Sequence, residues 1–496
     1  MANTAVVQAG WDRMMRDLPR DRLPKGTCWN IIDLIPNELG GPLSKRGGWT
    51  YASEALTSIL TGADVVQGVI AAPFSAGEQV VAWTTNIGSG SRVGQIVSTS
   101  STTDRGAPAF TNLGQQPLFY RNFVYFVDAA GATAPSRYSG AANTTALTGS
   151  PPTGSRATVY KDRLVLARSS GQLQRLWFSA AGTPTTWDTT FGFIDTSGEV
   201  TGLYALRNAI LIWHPNSLER ITGSTPPPGT DMSLQPLFDT GCPYPFSIAG
   251  TDQFVCFANS SGIYMTDGSA VVDITEQGGM KSFWRSQFTG GRQIAAGYFR
   301  GYLIVSVVDA SGLGEVNTFL IHLKTRRFTR ISNMLAWSFA IASSSADELY
   351  WGSVEAARVN KFSPLFSPTS SVKADADGTN VTPIVETAYF NLGQSEARIC
   401  EAYLTYDMRD AASDNPVLTM SYATDPTATT YTDVVGQDGN AYTIPETTVM
   451  KRVKRQIRQQ GFGLSVKLAQ TNPSSVTHLN RLELRSWPRE QSRVSQ

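Results

Sequence analysis

The sequence contains a repeated unit, in which a polar or glycine turn residue precedes a short run of apolar, β-branched or aromatic residues. The runs are QVVAW after Glu78, FVYFV after Asn122, RLVLA after Asp162, AILIW after Asn208, QFVCF after Asp252, YLIVSV after Gly301 and ELYW after Asp347. Successive turn residues are 44, 40, 46, 44, 49 and 46 positions apart. Propeller blades repeat at about 40–50 residues. The spacing therefore predicts a β-propeller of about seven blades over residues 65–362.

The segments that flank these runs fit a four-stranded antiparallel blade. Strands rich in small residues, such as VVQGVIAAPF, GEVTGLYALR and RQIAAGYFR, precede most of the runs. A propeller places such residues near its crowded axis and the wider strands outside. The chain has only 16% charged residues, with 44 glycines and 26 prolines, which is typical of many short strands joined by turns. An all-β fold is expected; a β-helix has shorter repeats, and an array of sandwiches lacks seven regular recurrences.

The remaining segments predict three further regions. Residues 1–64 are expected to form an N-terminal arm, in which Val6 to Leu18 has the spacing of a short amphipathic helix. A later strand of this arm is expected to close the ring with the last blade. Residues 363–380, rich in Ser, Pro, Asp and Gly, read as a linker. Residues 381–496 contain five alternating strands, which predict a C-terminal β-sandwich.

The sequence lacks the signatures of common enzyme sites. There is no P-loop, G-x-S-x-G, H-E-x-x-H or G-x-G-x-x-G motif. The histidines His214, His322 and His478 are far apart, and the four cysteines form no C-x-x-C pair. Asp375 and Asp377 favour a solvated linker turn over a calcium loop. We predict no enzyme activity, no cofactor and no metal site.

Two groups of residues are candidate contacts with partner molecules. Trp11, Met14 and Met15 would dock on a neighbour, because a short apolar arm without a core of its own tends to do so. The second group is the basic run Lys451, Arg452, Lys454, Arg455 and Arg458. After residue 450 ten Lys and Arg stand against two Glu, a balance of +8 within a chain of net charge +1. Such a patch suits phosphates or an acidic protein surface, or is simply a solvated strand face.

The start of the sequence shows no secretory signal, and no run reaches the length of about 18 apolar residues that a membrane span needs. We therefore expect a protein made in a cytoplasm, without a membrane span.

Three segments resemble tail proteins of short-tailed bacteriophages. QRLWFSAAGTPTTWD, from Gln174 to Asp188, resembles a blade turn of those proteins. GGPLSKRGGW, from Gly40 to Trp49, resembles their early Gly-Leu-x-Lys-Arg-Pro-Gly segment, with Gly47 in place of the proline. RVKRQIRQQGFGLSVKLAQTNP resembles their terminal β-domain.

The resemblance implies a structural virion protein, a subunit of the tail nozzle or hub. Proteins of this kind form a hexameric ring below the portal and adaptor proteins. Tail fibres or spikes dock on the outside, and genomic DNA passes through the lumen during ejection without specific binding. The implied location is the virion tail, after synthesis in the host cytoplasm.

Two alternatives remain open. The turn at Ala181 is similar to the Ser-x-Asp-x-Gly-x-Thr-Trp turn of sialidase-like propellers, although alanine replaces the aspartate and the motif occurs once. A glycan-binding or glycan-cleaving propeller would need arginines and carboxylates that converge on the axis. Arg163, Arg175, Arg207 and Arg220 lie near turns and suit surface roles. The other alternative is a cytoplasmic propeller scaffold for other proteins.

Overall fold

The computed structural model describes most of the chain from residue 5 to residue 488. Within these limits it leaves out residues 10, 12, 25–26, 37–42, 47, 57–64, 87–89, 230, 289–290, 310–316, 343–347, 355–356, 363–374, 378–380, 392–396, 410–417, 436–442, 445–450, 458–462 and 471–475. Only the backbone is described for residues 5–9, 36, 86, 391, 397–401, 407–409, 443–444, 451–456, 463, 476–478, 480 and 485–488.

The central part of the chain is a β-propeller of seven four-stranded units, which we call blades 1 to 7. Six of them are separate sheets, and blade 6 continues into a larger sheet. Blade 1 comprises Val65–Phe74, Gly77–Asn86, Gly90–Ser98 and Ser101–Asp104. Blade 2 comprises Leu118–Tyr120, Phe123–Phe126, Ser136–Tyr138 and Thr145–Ala146. Blade 3 comprises Arg156–Tyr160, Arg163–Ser169, Gln172–Ala180 and Thr183–Trp187, with Phe193–Asp195 as an additional strand. Blades 4 and 5 comprise Gly202–Leu206, Ala209–Trp213, Leu218–Thr222 and Ser233–Phe238; and Ala249–Gly250, Val255–Asn259, Gly262–Thr266 and Val271–Asp273. Blades 6 and 7 comprise Arg292–Phe299, Tyr302–Asp309, Asn317–His322 and Arg327–Ile331; and Ala336–Ala342, Glu348–Ser353, Val359–Phe362 and Trp49–Tyr51.

The propeller confirms the prediction made from the repeats. Each of the seven apolar runs is the second strand of its blade, between two hydrogen-bonded neighbours. The small residues of the first strands are required by close packing between blades. A Cβ at Gly202 would lie 2.3 Å from Ile248 Cδ1, and one at Gly297 would lie 2.6 Å from Phe339 Cβ, both too close for a side chain.

The ring is closed by a strand from the other end of the chain, as predicted. Trp49–Tyr51 is the outer strand of blade 7 and pairs antiparallel with Val359–Phe362. The first strands of blades 7 and 1 then pack against each other. Because this closure covers an edge that would otherwise be unpaired, it completes the propeller without an open end.

The C-terminal strands form a β-sandwich together with strands from the N-terminal arm. The first sheet contains, in order, Leu34–Pro36, Leu43–Lys45, Val476–Pro488, Ala397–Arg409 and Lys451–Ile457, and Ala5–Ala9 also pairs with Val476–Pro488. The second contains Thr27–Ile32, Ile384–Thr387, Gly463–Gln470, Leu418–Ala423 and Thr432–Asp433, with Arg13–Met14, Phe390–Asn391 and Thr443–Ile444 at its margins. Leu404 and Leu484 of the first sheet share one buried core with Met420 and Val466 of the second.

The helix predicted for Val6 to Leu18 is wrong. The described residues form the strands Ala5–Ala9 and Arg13–Met14 instead. Tertiary pairing overrides the helical spacing here, because the long strand Val476–Pro488 offers hydrogen-bond partners along Ala5–Ala9. The described helices are short: Arg20–Arg22 and Pro245–Ser247 are 3₁₀ turns, and Ile274–Gln277 and Lys281–Ser286 are α-helices. None of the described helices has the length and hydrophobicity of a membrane-spanning helix.

The propeller and the sandwich share a continuous sheet. Arg327–Ile331, the last strand of blade 6, pairs in parallel with Thr27–Ile32 at Arg330 and Ile32. Phe319 and Ile321 of blade 6 also belong to the same buried core as the sandwich residues. Strands from the start and the end of the chain thus pair across the predicted domain limits. The division into residues 1–64, 65–362, 363–380 and 381–496 stays a prediction.

Candidate functional site

The propeller axis is obstructed by a short turn between blades 4 and 5. Phe246, in the turn Pro245–Ser247, packs against the core of blades 6 and 7 and also against that of blades 1 and 2. Gln116, just before blade 2, donates from Nε2 to the carbonyl oxygen of Ala296 in blade 6 at 3.3 Å. These contacts bridge separate blades and divide the axial space.

A cavity of about 310 Å³ lies on the axis beside Phe246. Its wall is shared by Gln67 of blade 1, Arg156 and Arg168 of blade 3, Gln293 of blade 6 and Trp337 of blade 7. Contributions from so many blades are expected only at the axis, where their first strands converge. Phe246 provides part of an apolar wall, and the arginines and glutamines provide the polar groups.

Arg156 is the buried cation of this cavity. Its side chain is 7% exposed. Nε donates to the carbonyl oxygen of Thr201 at 2.6 Å, and Nη1 donates to those of Gly114 at 2.6 Å and Ser155 at 2.8 Å. These acceptors lie next to blades 4, 2 and 3, so Arg156 ties three blades together at the axis.

Arg168 lies beside Arg156 and leads into a second polar network. It occupies a strand bulge with φ of +59° and donates from Nη1 to Ser155 Oγ at 3.3 Å. Its Nη2 lies 2.7 Å from Glu199 Oε1. His214 continues the network, with Nδ1 2.8 Å from the Glu199 carbonyl oxygen and Nε2 3.0 Å from Glu219 Oε2. Burial raises the pKa of Glu219, but hydrogen bonds from Ser197 and His214 outweigh it, so that the pKa lies below its usual value.

Two other cavities are open at the surface of the propeller. One of about 320 Å³ lies on the axis near Pro245 and is lined by first-strand residues of blades 2, 3 and 4. The other, of about 510 Å³, lies between blades 4 and 5 and contains Arg207, Arg220 and Asp252. Arg207 is paired with Asp252 at 2.8 Å, and Arg220 donates to Gln235 and to the Gly268 carbonyl oxygen. The charge of Arg207 is thus paired, whereas the Nη atoms of Arg220 meet neutral acceptors only.

The apolar residues predicted to contact a partner lie mainly inside the chain. Trp11 is 4% exposed and Met14 is fully buried in the core that the sandwich shares with blade 6, while Met15 packs partly buried against it. The premise that this arm has no core of its own is therefore wrong. A contact of these residues with another molecule stays a prediction, now without that physical basis.

The basic run coincides with a strand at the margin of the first sandwich sheet. Lys451–Ile457 pairs with Ala397–Arg409, and no second neighbour pairs with it among the described residues. The side chains of Lys451, Arg452, Lys454 and Arg455 lie outside what the structure describes, as does the whole of Arg458. Their role as a partner contact stays a prediction.

Asp375 is buried, and not part of a solvated turn as the sequence indicated. It is 3% exposed and accepts hydrogen bonds from both Nη atoms of Arg46. Nε of Arg46 also lies 2.7 Å from Oδ1 of Asp33. Within the described ranges, no group of three or more His, Cys, Asp or Glu side chains is arranged to hold a metal ion.

Sequence reasoning missed the axial arginines. It singled out Arg163, Arg175, Arg207 and Arg220, which lie outside the axial cavity. Arg156 begins a strand directly after Gly154 and Ser155, and only the ring geometry brings it to the axis. The signal that could have found it is its place at the start of a blade's first strand, the position that faces the axis.

No protein-family model matches the chain, and no curated protein does. Solved structures that it resembles in part include PorZ, a surface component of the type-IX secretion system of Porphyromonas gingivalis, with 11% identity, a TM-score of 0.40 and coverage of 63% of this chain and 37% of PorZ. The WD40 β-propeller domain of Doa1 has 11% identity and a TM-score of 0.40, over 64% of this chain and 97% of that domain. The extracellular domain of a one-component system from B. thetaiotaomicron has 10% identity and a TM-score of 0.43, over 92% of this chain and 62% of that one. At these scores the likeness supports no inference about function.

Proposed function

We propose that this chain is a structural virion protein, a subunit of the tail nozzle or hub of a tailed phage. Six copies form a ring below the portal and adaptor proteins, with fibres or spikes docked outside. Genomic DNA passes through the lumen of this ring during ejection and is not bound specifically. The role is passive and depends on a rigid subunit.

The observation that carries the proposal is the position of the segment that resembles tail proteins. Among its described members, Leu43–Lys45 is a strand of the sandwich, Arg46 forms a buried ion pair with Asp375, and Trp49 begins the strand that closes the propeller. The segment thus joins both parts of the chain. A subunit that must hold its shape while DNA moves past it benefits from such a junction.

The obstructed axis adds a requirement to this proposal. Phe246 and Gln116 connect blades across the axial space, so a DNA duplex has no path through a single propeller. The DNA channel must therefore be formed between subunits. A channel that conducts DNA should avoid strong attraction to phosphates, and the low charged fraction of 16% is compatible with that. The basic strand Lys451–Ile457 would then face an acidic neighbouring protein.

Mass photometry of the purified protein, alone and mixed with the portal and adaptor proteins of the same phage, tests the ring. We expect a species near six times the protomer mass of 53.6 kDa, alone or after the adaptor is added. A monomer under both conditions would contradict the proposal.

A variant with Lys451, Arg452, Lys454 and Arg455 changed to Gln tests the basic strand. We expect weaker binding to the adaptor and unchanged, weak binding to DNA. A control variant neutralises two exposed arginines elsewhere, Arg121 and Arg207, which are already paired with aspartates. Strong DNA binding by the wild-type protein that is lost in the first variant would contradict passive conduction.

One observation favours the glycan-binding alternative, namely the two arginines in the axial cavity. Among the described lining residues, however, there is no carboxylate and no tyrosine, which sialidase-type chemistry would need. A glycan array and turnover of a model sialoside distinguish this alternative from the ring subunit.

A further inference from the structure

The axial cavity contains a positive charge that the described residues do not neutralise. All three hydrogen bonds of Arg156 go to neutral carbonyl oxygens, and no described carboxylate lies within ion-pair distance of it. Glu199 is bonded to Arg168 through one oxygen at 2.7 and 2.9 Å. Arg156, Arg168 and Glu199 together carry a net charge of +1.

A buried cation without a counter-charge is unfavourable. Carbonyl dipoles offset only part of the free energy that water would supply. Burial and the neighbouring Arg168 lower the pKa of Arg156 to about 9, although Glu199 acts in the opposite direction. An anion placed against the guanidinium would provide a counter-charge and would raise the pKa of Arg156 again.

One donor group of Arg156 is free to meet such an anion. Nη2 has no hydrogen-bond partner among the described residues, and it is not sealed from solvent. Arg156 lines the axial cavity, so an anion held there lies next to this guanidinium. Gln293 lines the same cavity and has no side-chain hydrogen bond in the described part of the chain.

We propose that the axial cavity binds a small oxyanion, a carboxylate or phosphate group, on Nη2 of Arg156. The two N–H groups of Nη2 can donate charge-assisted hydrogen bonds to the oxygens of such an anion. A volume of about 310 Å³ is at the lower limit of ordinary ligand sites. Trp337 and Phe246 provide apolar surface for the rest of the ligand. The site does not depend on the ring proposed above.

The competing interpretation is that Arg156 only ties blades 2, 3 and 4 together through its carbonyl contacts. In that case the protein would be indifferent to anions at the axis. The two interpretations differ in one measurable property, which is saturable binding of an oxyanion to the folded wild-type protein.

Isothermal titration calorimetry at pH 7, at ionic strength held constant with sodium chloride, measures this property. The probes are inorganic phosphate, acetate and N-acetylneuraminate, which separate a phosphate from a simple carboxylate and a sugar carboxylate. We expect one saturable site for at least one probe. Saturation by N-acetylneuraminate alone would support the site and identify its ligand as a glycan acid.

Two variants locate the site. Arg156→Gln should weaken binding at least about 10-fold, whereas Arg220→Gln, in the cavity between blades 4 and 5, should leave it unchanged. Because Arg156→Gln also removes ties between blades, Gln293→Trp provides a second test. It fills the cavity and leaves Arg156 itself in place, and it should abolish binding while circular dichroism and Tm stay near wild type. No saturable binding of any probe, or wild-type affinity in a folded Gln293→Trp protein, would overturn the proposal.

Discussion

Arg46 and Asp375 are 329 positions apart in the sequence, yet both Nη atoms of the arginine lie 2.9 Å from the two carboxylate oxygens. Asp33 pairs with Nε of the same guanidinium at 2.7 Å, and all three side chains are almost completely buried. Burial alone would lower the pKa of Arg46, but the two carboxylates outweigh it and raise the pKa. Asp375 also accepts from the backbone N of Trp49 at 3.2 Å, so the pair holds the strand that closes the ring.

Replacing Arg46 with Met should lower the free energy of unfolding by about 3–5 kcal/mol, because two carboxylates would then be buried without a cation. Urea unfolding followed by tryptophan fluorescence measures the change. Arg207→Ala is the control, since the Arg207–Asp252 pair is exposed at 67% and 54% and should contribute less than about 1 kcal/mol. Equal losses in the two variants would contradict a special role of the buried cluster.

Trp49 should be one of the side chains on which ring closure depends. It is 5% exposed, packs edge-on against Trp351 at 5.4 Å between ring centroids, and donates from Nε1 to the Asn333 carbonyl oxygen at 3.2 Å. Trp49→Ala should lower the free energy of unfolding by about 3–5 kcal/mol. Hydrogen exchange should rise most in blades 7 and 1, which meet at the closure.

Phe191→Ala is the control for this experiment. Phe191 is 64% exposed, so its loss should change stability by no more than about 0.5 kcal/mol. An exchange increase spread evenly over all blades of the Trp49→Ala protein would show that Trp49 contributes to general packing, and not to closure.

Periodicity predicted the propeller because each blade is a local unit with its own turn and its own apolar strand. A ring-closing strand from the arm was also predictable, since an open edge requires a partner. The strands of the arm were not, because the helical spacing of Trp11 and Met14 is a local signal, whereas the partner of Ala5–Ala9 lies near the other end of the chain, as the pairing of Ala5 with Ser486 illustrates. The axial position of Arg156 could not be predicted for a related reason. The cavity that it lines is built from several blades and exists only in the closed ring.

Phe246 should be needed to keep the axis obstructed. Phe246→Ala removes the side chain that touches blades on both sides and should lower the free energy of unfolding by about 1–3 kcal/mol, below the range for a fully buried phenylalanine because the ring is half-buried. Phe246→Leu, which retains apolar contact, should recover most of the loss. A crystal structure of the alanine variant should show the cavities on either side of Pro245 merged; unchanged separate cavities would assign the obstruction to Gln116.

Glu219 should make stability depend on pH in the acid range. Its pKa in the folded chain is lowered, so the folded state releases its proton more readily than the unfolded state. The stabilisation is present above the unfolded pKa of about 4.5 and is lost as the pH falls through the folded value. Glu219→Gln should reduce stability at pH 7 and flatten the decline of the urea midpoint below about pH 4.5. A decline as steep as that of wild type would mean that other carboxylates account for it.

The buried cysteines should be inert to alkylation in the folded protein. Cys28, Cys242 and Cys256 are free thiols that are fully buried. Burial raises the pKa of Cys242 to about 11 and that of Cys256 to about 12, against an ordinary value of 9.0. Because the thiolate is the reactive form, the shift of Cys242 alone reduces its reactive fraction at pH 8 roughly 100-fold, before access is considered. Iodoacetamide labelling followed by peptide mass spectrometry should find these three residues unmodified in buffer and modified in urea; rapid native labelling of Cys242 would contradict the closed packing between blades 4 and 5.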